Sequence, residues 1–543
     1  MPSSLRHAGL IPHMPSRRKV LTDQGRSRML LHHFQQRGFV MTRIKFMCST
    51  ACLALLAGNA ALADVTPEQV WENWKSLSTS YGQSMTTGSE AREGDTLVIR
   101  GIDLTSKNEG AEAVIHLDEV RLKDQGDGTV EMTMSDASTM TVKTEADGDL
   151  PATTTSLNMG MSGQRILVSG TPEEARYDFT VQNVSLALGA IEGPKDVPTD
   201  LKVEATLRGM SGSYLVSGAA DKVVTSTVVA DSLGITMSGT NPEDNSKIDL
   251  KADMSGLTGQ STSKIIGGDV SDLVAALKAG SAMDGSFAYA GGTLDMKVDG
   301  ADGPMQVSAS NTGGSLSFAM DAARLAYGGT AKDAQVTLSG AQIPFPQVNF
   351  GYKEGAFNLL MPVSKSDTPA DFAFLTKIIG LTVSDEIWGM LDPTAQLPRD
   401  PVNVVLDTKG KVTLTVDLMN EAEMAALGEG APGEINALDI NELQVTAAGA
   451  EVTGSGALTF DNSDMETYGG VPAPTGQIDL KAVGVNALLD KLMAMGLVPE
   501  DQMMGTRMML GMFAKVDPSA PDTMTSTLEF KDKHFFANGM QLQ

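Results

Sequence analysis

From residue 95 to about residue 350, apolar and polar residues alternate in short runs, and this property excludes most of what the chain could fold into. Residues 96–100, 130–134 and 201–207 each have a period of two, which places every second side chain on one face of a half-buried antiparallel strand. The pairs Asp127-Gly128, Asp147-Gly148, Asp299-Gly300 and Asp302-Gly303 interrupt the runs as hairpin turns. A second mark, an aliphatic or Met residue followed by Ser-Gly, recurs at 161–163, 168–170, 210–212, 216–218, 237–239, 254–256 and 338–340. Its spacing is too irregular for a repeat array, so it reads as strand-ending chemistry in which Gly supplies a positive φ. An open twisted sheet rarely exceeds about ten strands without curling or splitting. The expectation is a mainly β chain with a few short helices: a long antiparallel meander forming curled sheets, sandwich-like or open as a groove, and elongated.

The first 63 residues stand outside this pattern. Arg43 and Lys45 precede an apolar run from Phe46 to Ala57, and Ala61-Leu62-Ala63 precedes Asp64, the layout of a secretory leader over 41–63 cut between Ala63 and Asp64. The run is shorter than the roughly 20 residues a membrane-spanning helix needs. Residues 1–40 hold seven Lys or Arg, four of the six histidines and Asp23 as their one acid. They read as an upstream extension of the true start at Met41 or, alternatively, as a basic arm. Both cysteines, Cys48 and Cys52, fall inside the leader, so the remainder has no thiol for a disulfide or a thiolate metal site. Residues 64–543 carry 32 basic against 66 acidic side chains, a net charge of −34, which argues against nucleic acid and against unaided docking on anionic lipid. Export into a periplasm is the expected location.

Two domains are expected, 64–342 and 343–543. The first opens on a helix: Thr66-Pro67-Glu68-Gln69 is a capping box with Pro at the first helical position, and Val70, Trp71, Trp74, Leu77 and Tyr81 follow at helical spacing. This stripe reads as a plug for the end of a β-core or as an aromatic ligand-binding face. Gly193 to Thr199 looks like a linker, and Ser271-Asp272 caps a short helix over 273–278. In the second domain, helices are expected near 369–391 and 486–514. Thr368-Pro369 would start one bearing Phe372, Leu375 and Ile379, closed by Gly380; Ser384 would cap the next, stopped at Pro393. Pro398 and Pro401 then keep the chain extended until strands resume at Val402. Trp388, with Asp392, Arg399 and Asp400 nearby, reads as a structural brace, buried by its capped helix.

No motif commits the chain to a reaction or a cofactor. His116 and His534 lie far apart, each in a strand-like run and without identifiable partners for a triad or a zinc site. Residues 428–433 match G-x-G-x-x-G, but a helix precedes and Pro432 with a strand follows, the reverse of a dinucleotide-binding turn. Asp124 and Asp127, and likewise Asp299 and Asp302, resemble pieces of calcium loops, yet position 135 is Ser where a bidentate Glu would be needed. They read as hairpin turns, with weak calcium binding as the alternative. Met493, Met495, Met503, Met504, Met508, Met509 and Met512 crowd the last helix pair; they read as adaptable apolar packing or contact, with copper(I) thioether binding as the other option.

Four stretches are specific as text: IWGMLDPTAQLPRDP (387–401), GAEVTGSGALTFDN (449–462), PAPTGQIDLKAVGVNALLDKL (472–492) and FFANGM (535–540). They resemble the bacterial family termed domain of unknown function 2125, and that resemblance implies a leader-bearing envelope protein of alphaproteobacteria with no functional residues to carry over. A meander ending in small helices is also distantly similar to AsmA-like envelope proteins, although their N-terminal membrane helix has no counterpart here. Three functions stay open: a carrier holding a hydrophobic or lipid-like amphiphile in a curved sheet, a structural or assembly factor of the envelope acting through protein contacts, and a hydrolase whose site one sequence does not reveal. A closed sandwich would favour the second and an open apolar groove the first.

Overall fold

The computed structural model describes residues 64–543 apart from 109, 147–150, 194–199, 242–243, 268–271, 429 and 521. Residues 1–40, the expected leader over 41–63 with Ala61 and Ala63, the expected Asp147-Gly148 turn and most of the expected linker lie outside the described residues.

Strand accounts for about 63% of the described residues and helix for 13%, so the fold is mainly β as the alternation requires. The order begins α1 (Pro67–Ser80), β1 (Gln83–Glu93), β2 (Thr96–Asn108), β3 (Ala111–Asp124), β4 (Val130–Met134), β5 (Ala137–Thr144), β6 (Thr153–Ser162), β7 (Arg165–Thr171), β8 (Glu174–Glu192), β9 (Lys202–Ser217), β10 (Lys222–Thr240), β11 (Lys247–Ile265) and α2 (Leu273–Lys278). It continues β12 (Ala282–Tyr289), β13 (Gly291–Gly300), β14 (Gly303–Asn311), β15 (Gly314–Met320), β16 (Arg324–Gly340), β17 (Val348–Pro362), β18 (Ala370–Val383), α3 (Asp385–Leu391), β19 (Val402–Leu414) and α4 (Glu421–Leu427). It ends β20 (Gly433–Ala447), β21 (Ala450–Asp461), β22 (Ala473–Val483), α5 (Val485–Ala494), α6 (Glu500–Phe513), β23 (Lys515–Val516), β24 (Thr523–Lys531), β25 (His534–Ala537) and β26 (Met540–Gln541).

Among the described residues, 26 strands join one antiparallel sheet. Long strands pair with their sequence neighbours, except where a long strand faces two half-length ones. The C-terminal half of β3 pairs with β4 and its N-terminal half with β5; these pair in turn with β7 and β6, and both rejoin β8. The plan recurs at β11: β12 and β13 share it, pair with β15 and β14, and rejoin β16. The long–half–half–half–half–long pattern thus occurs twice, and the β16–β17 ladder runs on across the boundary expected at residue 342.

A crease crosses the sheet where the half-strands meet. The ladder skips one position opposite Gly88/Gly101, Gln182/Gly209, Asp231/Gly256 and Asp333/Lys353, with the register kept on both sides. Gly101, Gly209, Gly256, Asp333 and Gly380 have φ of 62°, 61°, 61°, 46° and 70° there. At the crease the apolar positions change parity: Tyr177, Phe179 and Val181 on one side of β8, then Val184, Leu186 and Leu188 on the other. A change of phase would otherwise send every apolar side chain to the opposite face, so the crease keeps the apolar set together. Two Ser-Gly marks, at 210–212 and 254–256, therefore lie inside β9 and β11 and do not end strands, because these strands are longer than the pattern suggested. Gly380→Val should cost about 1–2 kcal/mol from the left-handed backbone alone, with the Lys353 side chain 3.0 Å from the new Cβ; urea unfolding measures it.

Helix α1 is capped as expected: Gln69 N donates to Thr66 Oγ1 at 3.3 Å and Thr66 N to Gln69 Oε1 at 2.9 Å. It packs on β1, β2 and β3. Trp71 is 1% exposed and meets Trp74 edge-on at 5.4 Å. The buried set of this region includes Val98, Ile99, Val120, Leu122, Val168 and Phe179. At the helix end, Tyr81 hydrogen-bonds Ser263 of β11, and burial pushes its phenol up. One helix thus touches both β3 and β11, which sit several ladders apart, so the first part of the sheet curls around α1. Of the two readings of the aromatic stripe, the burial supports the plug.

Two expectations in the second half are corrected. Residues 370–383 form strand β18, where a helix was expected: Phe372, Phe374, Thr376 and Ile378 recur at a period of two, and aromatic and β-branched residues suit a strand flanked by β17 and β19. Gly380 is a crease residue whose N–H donates to Asn403 Oδ1 at 2.8 Å, so it caps no helix. In the 387–401 segment Trp388 is half-exposed, α3 buries no residue, and Ser384 makes no side-chain cap. The buried group is Asp392, whose carboxylate accepts from Leu397 N at 2.6 Å and from Thr394 Oγ1 at 3.3 Å. Burial pushes this carboxyl up, but those donors, Gln396 N and Arg399 hold it below the usual range. Pro393 and Pro401 are exposed, and Pro398 lies against Gly449.

The 462–472 loop is held by Asp464, which pairs with Lys533 Nζ at 2.6 Å and accepts from Thr467 N and Oγ1. Lys533, then Thr467, keep its carboxyl far below the usual range. A depressed folded-state pKa gives stability that is present above the unfolded value and lost as pH falls through the folded one. Asp464→Asn should therefore lower the melting temperature at pH 7, and the gap from wild type should narrow as pH falls below the carboxylate range.

Candidate functional site: an apolar floor on one face of the sheet

Residues directly opposite one another in an antiparallel ladder share a face. Starting from Phe318 of β15, the register runs through Tyr327, Leu359, Phe374, Thr408 and Ile440 to Gly456 and Ile478. Leu316, Phe357 and Phe372 lie two positions along on the same face, and Ile378 four. Across the crease a second row continues it: Val203, Met237, Leu250, Met296, Val307, Leu338 and Val348, all half-exposed. The other face is polar, with Lys409, Asp439, Gln477 and Glu529 in one row.

The aromatic rings lie down on the sheet. Phe318 faces Gly285, Phe357 faces Gly329, Phe372 faces Gly410 and Tyr289 faces Gly314 across the ladder. A Cβ on Gly285 would stand 2.7 Å from the Phe318 ring, one on Gly329 2.6 Å from Phe357, and one on Gly410 2.7 Å from Phe372. Glycine under each ring lets it lie flat and covers backbone that glycine leaves bare. The result is a smooth apolar floor. Phe318 remains 39% exposed, Tyr327 45%, Phe357 39% and Phe374 43%, values foreign to a packed core. Single exposed apolar residues need no explanation; a contiguous patch rimmed by polar groups does.

The residues singled out for chemistry do not assemble. His116 Nδ1 pairs with Asp103 Oδ1 at 2.7 Å across the β2–β3 ladder, and its imidazole is raised by Asp103; His534 sits beside Gln541 and Gln543 at the far end of the sheet. Asp124 accepts from Gly126 N and Asp127 from Thr129 N and Oγ1, so both carboxylates are engaged in the hairpin turn. Among the described residues no group of three His, Cys, Asp or Glu side chains is placed to hold a metal. On α6, Met503 is buried, while Met504, Met508, Met509 and Met512 are 45–69% exposed. A shallow depression of about 620 Å³ involves Glu442, Gln444, Ser455, Asp479 and Lys481 on the polar face; Asp479 there accepts from Thr527 and Gln477.

The floor was missed from sequence because neither Phe nor Gly is unusual alone. Their pairing across strands carries the signal, and pairing needs the register.

Residues 271–540 match the family described as "Uncharacterized protein conserved in bacteria (DUF2125)". No curated protein and no solved structure matches, so the likeness to AsmA-like proteins gains no support. The matched segment begins beside α2 and takes in every strand from β12 to β25, hence the whole aromatic floor.

Proposed function

We propose, on the premise that the chain belongs through residues 271–540 to the DUF2125 family, that it is an exported envelope protein that holds the hydrocarbon chain of a lipid-like amphiphile on its apolar floor. One observation carries this reading: four aromatic side chains in neighbouring strands, each about two-fifths exposed, lie on one face of an acidic protein. From β15 to β24 the face crosses nine strands, roughly 38 Å at the usual strand spacing. That is longer than the ~30 Å hydrocarbon core of a bilayer, so an acyl chain fits along it with room at the ends. Burial of such a chain is favourable in proportion to the apolar area covered. The acidic surface disfavours an anionic headgroup near it and leaves a neutral or zwitterionic one acceptable.

The test is titration with an 18-carbon fatty alcohol carrying an environment-sensitive fluorophore. Saturable binding with a blue shift supports the reading, and fluorescence unchanged from buffer overturns it. A second reading, an assembly factor docking through protein contacts, draws on the exposed α6 methionines, since Met-rich surfaces adapt to partners. In-cell crosslinking that recovers only monomer would remove it.

A further inference from the structure

One end of the floor is bridged by two connections that come from opposite sides. Between β11 and β12 the chain forms α2; between β19 and β20 it forms a strap over 415–420 and then α4. In the sheet β12 and β19 are separated by β15, β16, β17 and β18. Five ladder steps span roughly 24 Å, yet Lys278 Nζ at the end of α2 lies 2.7 Å from Asp417 Oδ2 of the strap. The two connections therefore meet over the ends of the strands that carry Phe318, Tyr327, Phe357 and Phe374.

The two sides are held differently. The strap is anchored on both sides: Leu418 N donates to Val363 O, just past β17, at 2.8 Å, and Asp417 N donates to the Glu423 side chain of α4 at 2.9 Å. Helix α2 is short, its N-cap Asp272 accepts from Ala275 N, and it is flanked by Gly267 and Gly280 with φ of 76° and 105°. The connection is tied at its two feet, where Gly267 N donates to Asp221 Oδ1 and Ile266 N to Ser281 Oγ, each at 3.0 Å. Leu277 on α2 is fully buried, as are Val363 and Leu414 on the strap side. Asp417 is 8% exposed, so its carboxylate leaves water when it takes the Lys278 ammonium.

We infer that α2 is a lid over this end of the floor, closed on the strap by the Lys278–Asp417 ion pair and by Leu277, and that opening it admits the hydrocarbon chain. The inference rests on the hydrocarbon-binding reading above and adds its entry route. A lid governs rates: weakening the latch should speed entry and exit together and leave equilibrium affinity little changed.

The experiment is stopped-flow binding of the fluorescent 18-carbon alcohol to wild type, Lys278→Glu, Asp417→Lys and the double charge swap. Each single variant should raise both rate constants on the order of tenfold, and the swap should return them to wild type, which a folding defect would not do. Hydrogen exchange in 273–281 should follow the same order. Probe binding with identical rates in all four proteins overturns the lid and leaves the binding reading intact. Absence of probe binding by wild type removes both, and exchange that still tracks the charge pattern would then show the latch to be structural only.

Discussion

Trp71→Ala should lower the unfolding free energy by about 3–5 kcal/mol, the cost of a large cavity that its surroundings do not refill. Trp71 is 1% exposed, Val70 beside it equally so, and Trp74 stacks on it edge-on. The helix carrying them is the element around which the first curl closes, so the loss is felt in β1–β3 and at the Tyr81–Ser263 contact with β11. The indole Nε1 is buried without a hydrogen-bond partner. Trp71→Phe removes that unsatisfied donor and keeps most of the apolar volume, so it should cost clearly less than the alanine variant. Guanidinium denaturation of the three proteins measures this. An alanine variant within about 1 kcal/mol of wild type, below the range for buried aromatic truncation, would mean that α1 does not hold the curl.

Phe357→Asp combined with Phe374→Asp should weaken hydrocarbon binding on the order of a hundredfold while the protein stays folded. Each ring gives up roughly 1.5–3 kcal/mol of apolar contact when a ligand can no longer cover it, and each 1.4 kcal/mol is tenfold in affinity. Because the rings are already about 40% exposed in the free protein, stability falls less than it would at a packed position. Charges placed on the polar face, at Gln477 for instance, should leave binding unchanged. Equal loss from both faces would contradict a one-sided floor.

Much of the fold was legible from residue types alone. Period-two alternation announced strands, Asp-Gly pairs their turns, and Thr66 with Gln69 the start of α1. The failure at 369–380 has a physical cause: Phe372, Leu375 and Ile379 sit at helical spacing, while Phe372, Phe374 and Ile378 sit at strand spacing, and a short apolar run satisfies both periods. Pairing with β17 and β19 decided between them. Trp388 was misread because a large residue after a Ser-Asp-Glu start resembles a buried anchor; the buried group proved to be Asp392, and its donors come from the backbone of residues 396 and 397, which no side-chain pattern advertises. The crease and the floor were illegible for one shared reason. Gly101, Gly209, Gly256 and Gly380, like Gly285 and Gly329, acquire meaning only from the strand opposite.

A hydrocarbon chain held on the floor should lie across β15–β18. Photolabelling with an 18-carbon alcohol bearing a diazirine near its tail, followed by peptide mass spectrometry, reads this directly. Labels should concentrate on β15–β18, at Phe318, Tyr327, Phe357 and Phe374, and should disappear with excess unlabelled alcohol. Labelling confined to the exposed methionines of α6, or spread over the polar face and indifferent to competitor, would contradict it.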